Sequence, residues 1–356
     1  MYISIMKAAV IKEHGSFDKI IFEDRPLPII QSTEEHSYVV KVKACGLNHL
    51  DTWVRRGVPG HRFPLPLVPG SDVTGVIESV NPCKNLTTAP KFEVGDKVIV
   101  NPQVFCGKCA ACIKGEDHLC VKWGLMGETT DGGCQEYTGA LEKSVFLLPA
   151  SLSFEQGACI PINFVTAWEM LVNKAKIQKG ETILIHAAGS GVSVACIQIA
   201  KLFGLQILVT STSAEKLERA KALGAHRFIN TSKSNFVEDV KLLTSKAGVD
   251  VVVDHVIGAS FNDSVRSLKK GGRLVSCGAT AGSEIKLDWK MIFFKNIALL
   301  GSTYGPVKVF EEVLSRFAKK ELNPVIDSRY ILSDLPLAHE ALETRKAFGK
   351  IVVKFD

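Results

Sequence analysis

The sequence predicts an α/β protein: a β-rich domain, then a doubly wound parallel sheet, with the chain end returning to the first domain. Three observations carry this. A chain of 356 residues exceeds one ordinary core. Residues 1 to about 150 hold short alternating or apolar runs broken by Gly, Pro and Asn. From about Gly180, apolar strand runs alternate with helical patterns, as they do in a parallel sheet covered on both faces.

The elements follow in order. Met1 to Met6 runs into a strand pattern with no cleavable signal. Tyr38 to Val42, Val73 to Val80 and Lys97 to Val100 read as strands. Pro64, Pro66 and Pro69 keep their stretch out of any helix. Thr182 to His186 is a buried strand, Val192 to Phe203 a helix closed by Gly204, and Gln206 to Thr210 the next strand. Ala214 to Leu223 is a helix closed by Gly224. Arg227–Asn230, Val249–Asp254 and Arg273–Cys277 read as further strands. A helix over Val309–Lys319, the stretch Leu337–Arg345 and a final strand over Lys350–Phe355 end the chain. The expected domains are 1–160 with 308–356, and 161–307.

Composition excludes several classes. Hydrophobic residues make up 46%, which argues against disorder. No apolar stretch is long enough for a membrane span. A formal charge of +6 is mild and does not demand nucleic acid. Scattered cysteines without a leader suggest a reducing, cytoplasmic setting, where clustered cysteines bind metal more often than they pair.

The turn from His186 to Ser193 joins a strand to a helix. Ala188, Gly189, Ser190, Gly191 and Val192 are small enough for a dinucleotide pyrophosphate to approach backbone amides at a helix start. The third glycine of G-x-G-x-x-G is missing, and the plainer reading is a tight turn without ligand. An acid at the end of the next strand would bond a ribose 2′-hydroxyl. This chain has Thr210, Ser211, Thr212 and Ser213 there, with Lys216 near. Hydroxyls and a lysine accept a 2′-phosphate, so NADP(H) is favoured over NAD(H). Ser213 or Thr212 is also expected to cap the helix.

Cys106, Cys109, Cys112 and Cys120 offer four thiolates at close spacing within a lobe over 101–122. Zinc accepts such a set tetrahedrally, and a site with no open position is structural. One structural Zn²⁺ per chain is expected. Four unrelated thiols are the alternative.

These residues together resemble the medium-chain dehydrogenase/reductase superfamily, which includes zinc-type alcohol dehydrogenases and quinone oxidoreductases. The likeness runs from the N-terminal KAAV through ACGLNHLD, PGSDVTGVIESV, FEVGDKV, the cysteine lobe, GGCQEY, the glycine turn and AKALGA to GKIVVKF. It implies a GroES-like β domain with a Rossmann cofactor domain. It also implies where a catalytic zinc would bind, and there the chain departs. The three ligand positions hold Asn48, Ser71 and Ile162. These cannot hold Zn²⁺ as Cys, His and Cys do. Asn48 sits in the form of the motif that quinone oxidoreductases use.

The resemblance therefore implies hydride transfer without a Lewis acid, for which an activated C=C suits better than an alcohol. Asn48, Ser71 and Thr166 could donate to a developing oxyanion. Asp51 and Asp72 could serve as a polar pair or supporting groups, or could bridge to Arg55, Arg56 or Lys350. His49 falls where the family contacts cofactor phosphate, and a loop histidine is the plainer view. Gly278 lies at a strand's carboxyl end, where nicotinamide binds. Lys350 is expected among the cofactor contacts. Cys45, Cys134 and Cys159 read as small buried hydrophobes.

An alcohol dehydrogenase with an atypical metal site from Cys45, His49, Asp51 or Asp72 is the second reading. A non-catalytic nucleotide- or nucleic-acid-binding protein is the third. The run Met291–Gly301 contains an apolar strand suited to pairing with a second copy, giving a homodimer or homotetramer. The expected partner is otherwise a small-molecule substrate, with no nucleic acid and no membrane.

Overall fold

A computed structural model describes residues 5–30 and 32–356. The first four residues of the N-terminal strand pattern lie outside the described residues. The chain begins with β1 (Ile5–Ile11), β2 (Ile20–Pro26), β3 (Ser37–Gly46), α1 (His49–Arg56) and β4 (Asp72–Asn81). Next come β5 (Lys97–Val100), β6 (Gln103–Val104), α2 (Ala110–Ile113), β7 (Gly124–Leu125), β8 (Tyr137–Leu141) and β9 (Val145–Leu147). Then α3 (Phe154–Gly157) and α4 (Pro161–Trp168) lead to β10 (Thr182–Ile185), α5 (Gly191–Leu202), β11 (Gln206–Ser211) and α6 (Ala214–Leu223). They are followed by β12 (Arg227–Asn230), α7 (Phe236–Leu243), β13 (Val249–Val253), α8 (Phe261–Ser267), β14 (Leu268–Ser276), α9 (Trp289–Lys295) and β15 (Ala298–Gly301). The last elements are α10 (Val307–Ala318), β16 (Ile326–Ile331), α11 (Leu335–Glu343) and β17 (Lys350–Lys354).

Two compact units result. The first holds the chain up to Ile162 with Pro306–Phe310 and Pro324–Asp356. Its main sheet runs β16-β17-β3-β4-β5-β9, with β8 also on β3. Along β3, Val40, Val42 and Ala44 turn to the core while Lys41 and Lys43 are half-buried on the other face, the period of two that a sheet requires. Register fixes what meets. Gly46 of β3 pairs with Asp72 of β4 on one side and with Val352 of β17 on the other. Residues far apart in sequence thus arrive at one end of three adjacent strands.

The second unit holds Asn163–Gly305 and Glu311–Asn323. Its six strands are all parallel, in the order β12-β11-β10-β13-β14-β15. That is the doubly wound order in which the strand sequence reverses beside the first strand, leaving a crevice at its carboxyl end. Every residue of β13 is buried, as a central parallel strand demands. α6 closes at Gly224 in the left-handed conformation, φ 117°.

One segment differs from the sequence expectation. Residues 311–323 pack with the second unit: Phe317 meets Phe164 edge-on at 4.8 Å, and Gln198 exchanges two hydrogen bonds with the backbone of Asn323. The apolar run at 291–301 is part helix, part strand. α9 ends at Asn296 in a left-handed turn (φ 53°) before β15 forms the sheet edge. Among the described residues no helix is long and apolar enough to cross a membrane.

Candidate active site

Lys350 opens β17 and points its ammonium into the first unit. Nζ donates to Asn48 Oδ1 at 2.6 Å and is ion-paired with Asp72 Oδ2. Asn48 Nδ2 donates to the same carboxylate oxygen at 3.0 Å. The other oxygen, Asp72 Oδ1, accepts the Ile162 N–H at 2.8 Å. All three side chains are buried. A buried ion pair of this kind persists only when further hydrogen bonds support it, and here Asn48 and the Ile162 N–H provide them. Gly46 makes it possible: a Cβ there would lie 2.7 Å from Lys350 Cε and 1.9 Å from the Ala158 carbonyl. The lysine stem crosses the strand where there is no side chain.

Asp51 does a different job. Its Oδ2 accepts the Asn48 N–H at 2.6 Å and its Oδ1 accepts the Gly70 N–H at 2.8 Å. It thereby fixes the start of α1 and the turn at Gly70 (φ 98°). Burial pushes its carboxyl up to about 6, the two amides pulling the other way. Next to it, the Ser71 hydroxyl is fully buried and has no hydrogen-bond partner. His49 stands edge-on to Trp53 at 5.4 Å, and burial lowers its pKa, which favours the neutral imidazole. Cys45 and Cys134 flank Gly70, and the contact with the Cys45 thiol, then burial, pushes the Cys134 thiol well up. The Cys159 thiol is pushed to about 12 by burial. Thiols held protonated in this way are poor nucleophiles.

In the second unit the glycine turn follows β10. Ala187 is left-handed at φ 52°, and Ser190 precedes α5 without a side-chain cap. The first amides of α5 therefore remain open to an anion. Ala188 and Gly189 are buried; Ser190, Gly191 and Val192 are half-buried. Behind the turn, His186 joins Thr210 at 2.9 Å and Ser264 at 3.0 Å, and Ser264 donates to Asp254 at 2.7 Å. Thr210 is thus occupied. Ser211 Oγ accepts the Ser213 N–H at 3.1 Å, and Ser213 caps α6 through the Lys216 N–H at 3.3 Å. Thr212 is exposed beside them and Lys216 half-buried. Gly278 sits past β14, its carbonyl accepting from Ser276 Oγ at 2.8 Å. Thr166 is buried on α4.

The four lobe cysteines converge, with all their sulfurs within 4.8 Å of one another. Adjacent sulfurs lie 3.5 Å apart for Cys109–Cys112 and for Cys106–Cys120, and 4.0 Å for Cys106–Cys112. Tetrahedral thiolates at zinc–sulfur distances of about 2.3 Å sit about 3.8 Å apart, so the donor set fits. The Cys106 and Lys122 N–H groups both point at Cys120 Sγ at 3.3 Å, as amides do toward a ligating thiolate. Among the described residues this is the one group of three or more metal-ligating side chains.

Residues 34–150 match the alcohol dehydrogenase GroES-like domain, and residues 191–319 the zinc-binding dehydrogenase domain. The quinone oxidoreductase of Homo sapiens is 30% identical over 355 residues, covering 98% of both chains. The alcohol dehydrogenase of Geobacillus stearothermophilus is also 30% identical, covering 99% of this chain and 100% of its own. A crystal structure of an NAD-dependent alcohol dehydrogenase superposes with a TM-score of 0.93 at 38% identity, covering 99% and 100%. The chain belongs to the medium-chain dehydrogenase/reductase family. It is an oxidoreductase with the GroES-like and Rossmann domains of that family.

As a medium-chain dehydrogenase/reductase, the chain joins residues that its sequence left as alternatives. Asp72 pairs with Lys350, while Arg55 is held by Glu343, the Gly15 carbonyl and the Phe17 ring. Lys350 was expected at the cofactor, and its ammonium is bonded to Asn48 and Asp72. No local pattern marks that union; only strand register shows it.

Proposed function

We propose an NADPH-dependent reductase that delivers hydride to a quinone, an enone or a related activated C=C or C=O, without a catalytic zinc. One structural zinc is held by Cys106, Cys109, Cys112 and Cys120, and the protein acts in the cytoplasm. The observation that carries the reading is the Asn48–Asp72–Lys350 cluster. Asn48 stands at a position where the resemblance implies a zinc ligand, and it is bonded to an ammonium and a carboxylate instead. The donors of an atypical metal site are otherwise engaged: Asp51 by two amides, Asp72 by Lys350, Asn48 and Ile162. Cys45 lies against Gly70 and Cys134, and His49 against Trp53.

The bound dinucleotide would supply the hydride. The protein's part is to receive charge on the substrate oxygen. Lys350 retains one ammonium hydrogen and Asn48 one amide hydrogen beyond the bonds described, and the Ser71 hydroxyl is unspent. Donors fixed before reaction stabilise a forming oxyanion without reorganising. Water or a side chain supplies the closing proton. The preference for NADPH rests on Ser211, Thr212 and Lys216 with no acid at the end of β11.

The test is oxidation of NADPH and NADH against quinones, enones, enoyl thioesters, aldehydes and ketones, with zinc counted in the same preparation. About one zinc per chain with turnover of activated alkenes or quinones is expected. Two zincs with alcohol oxidation would overturn the proposal.

A further inference from the structure

We infer that Asn163 is a pyrophosphate-binding residue that completes the cofactor turn from the facing helix. The inference rests on the reading that this turn takes a dinucleotide. It starts from Gly191, the first residue of α5. If residue 191 carried a Cβ, it would lie 2.3 Å from Asn163 Nδ2, 2.8 Å from Cγ and 2.9 Å from Oδ1. The space that the glycine leaves is taken by a protein carboxamide, so Gly191 is there for Asn163.

The carboxamide has nothing else to do. Asn163 is 6% exposed, and its side chain makes no hydrogen bond to the described residues. Its amide atoms are not among the fully buried unpartnered ones, so they open onto the space beside the turn, where a ligand can reach them. It lies against the open first turn of α5, whose amides have no intrahelical acceptor and whose dipole favours an anion. An anion bound by those amides would offer oxygens at hydrogen-bond range of Nδ2. Thr166, one turn along α4, is likewise buried with no hydrogen bond to the described residues. Positions i and i+3 share a face, so α4 turns two unspent polar groups the same way. All of this lies within the second unit.

Asn163 would act by donating Nδ2–H to a phosphate oxygen, with Oδ1 turned away. The closing experiment titrates the full-length wild type, Asn163→Ala and Asn163→Asp with NADPH, NADH and adenosine 2′-monophosphate, which lacks a pyrophosphate. The expected result is a loss of about tenfold or more in NADPH affinity for Asn163→Ala. The loss is larger for the near-isosteric Asn163→Asp, whose carboxylate faces the phosphates, and the affinity for adenosine 2′-monophosphate is unchanged. Equal dinucleotide binding by wild type and both variants overturns the inference. So does parallel weakening of all three ligands, which would mean a structural role. If Asn163→Ala fails to fold, Asn163→Asp decides alone by the same comparison. A wild type that binds neither dinucleotide overturns the cofactor reading itself, and this inference with it.

Discussion

The Lys350 ammonium meets Asn48 Oδ1 at 2.6 Å across 302 positions of sequence. Antiparallel pairing of β17 with β3 makes the contact, and Gly46 lets the lysine stem through. The carboxylate of Asp72 balances the charge.

Lys350→Met leaves Asp72 buried and uncompensated. Its stability should fall by about 3–5 kcal/mol. Lys350→Met with Asp72→Asn removes the orphaned charge and should recover most of that loss. If the cluster stabilises the substrate oxyanion, turnover stays down about a hundredfold or more in both variants. Urea unfolding beside steady-state NADPH oxidation separates the two effects. A double variant with restored turnover would remove Lys350 from the chemistry.

Cofactor choice is tested at the end of β11. Ser211→Asp places a carboxylate where a 2′-phosphate would rest. The ratio of kcat/KM for NADPH over NADH should fall by about tenfold or more, with much smaller change for NADH. A wild type that prefers NADH, or a ratio that Ser211→Asp leaves unmoved, would defeat the NADPH reading.

The cysteine lobe should behave as a structural metal site. Cys109→Ser is expected to lose the metal, counted by atomic emission, and to lower the unfolding temperature. Chelation of the wild type should do the same, while KM for substrate in the surviving fraction stays unchanged. Loss of kcat in step with zinc, without loss of fold, would argue for a metal in the chemistry.

Much of the fold was legible in the sequence. The helix Ala214–Leu223 and the strands Arg227–Asn230 and Lys97–Val100 fall where periodicity and glycine stops put them. Central parallel strands are mostly apolar because both faces are covered, and β13, four valines with Asp250, is buried along its whole length. The run at 291–301 was harder, since a short apolar stretch has the same look as helix or strand. The cysteine lobe was readable because its four donors are close in sequence. The Asn48–Asp72–Lys350 union was not, because its geometry comes from strand register. Asn163 gave no signal for the same kind of reason: its partner is the missing side chain of Gly191.

Acid should loosen the first unit through His339. Its ring is fully buried; Nδ1 accepts from Arg55 Nε at 3.4 Å and Nε2 has no partner. Burial first, and the Arg55 charge second, lower its pKa to about 3. The unfolded chain takes up the proton near the ordinary 6.5 and the folded chain refuses it. Stability is therefore full above about 6.5 and falls as pH drops toward 3, by roughly 1.4 kcal/mol per pH unit at most. His339→Gln should lose that share of the slope. Urea unfolding of both proteins from pH 7.5 to 5 measures it; parallel curves would show that His339 does not set the response.

Association should run through the edge of the second unit's sheet. β15 pairs with β14 on one side and ends the sheet on the other. Leu299 of that strand is exposed, and so are Trp289, Phe293 and Phe294 of the preceding α9. A flat apolar edge invites a second strand, and two-fold pairing with a copy closes it. Leu299→Lys puts a charge on that edge at a site where the folded monomer loses little, within about 0.5 kcal/mol. Light scattering after gel filtration should show a dimer or tetramer for the wild type and a smaller species for the variant, with the unfolding midpoint of the isolated chain unchanged. A variant that keeps the wild-type mass would move the interface off β15.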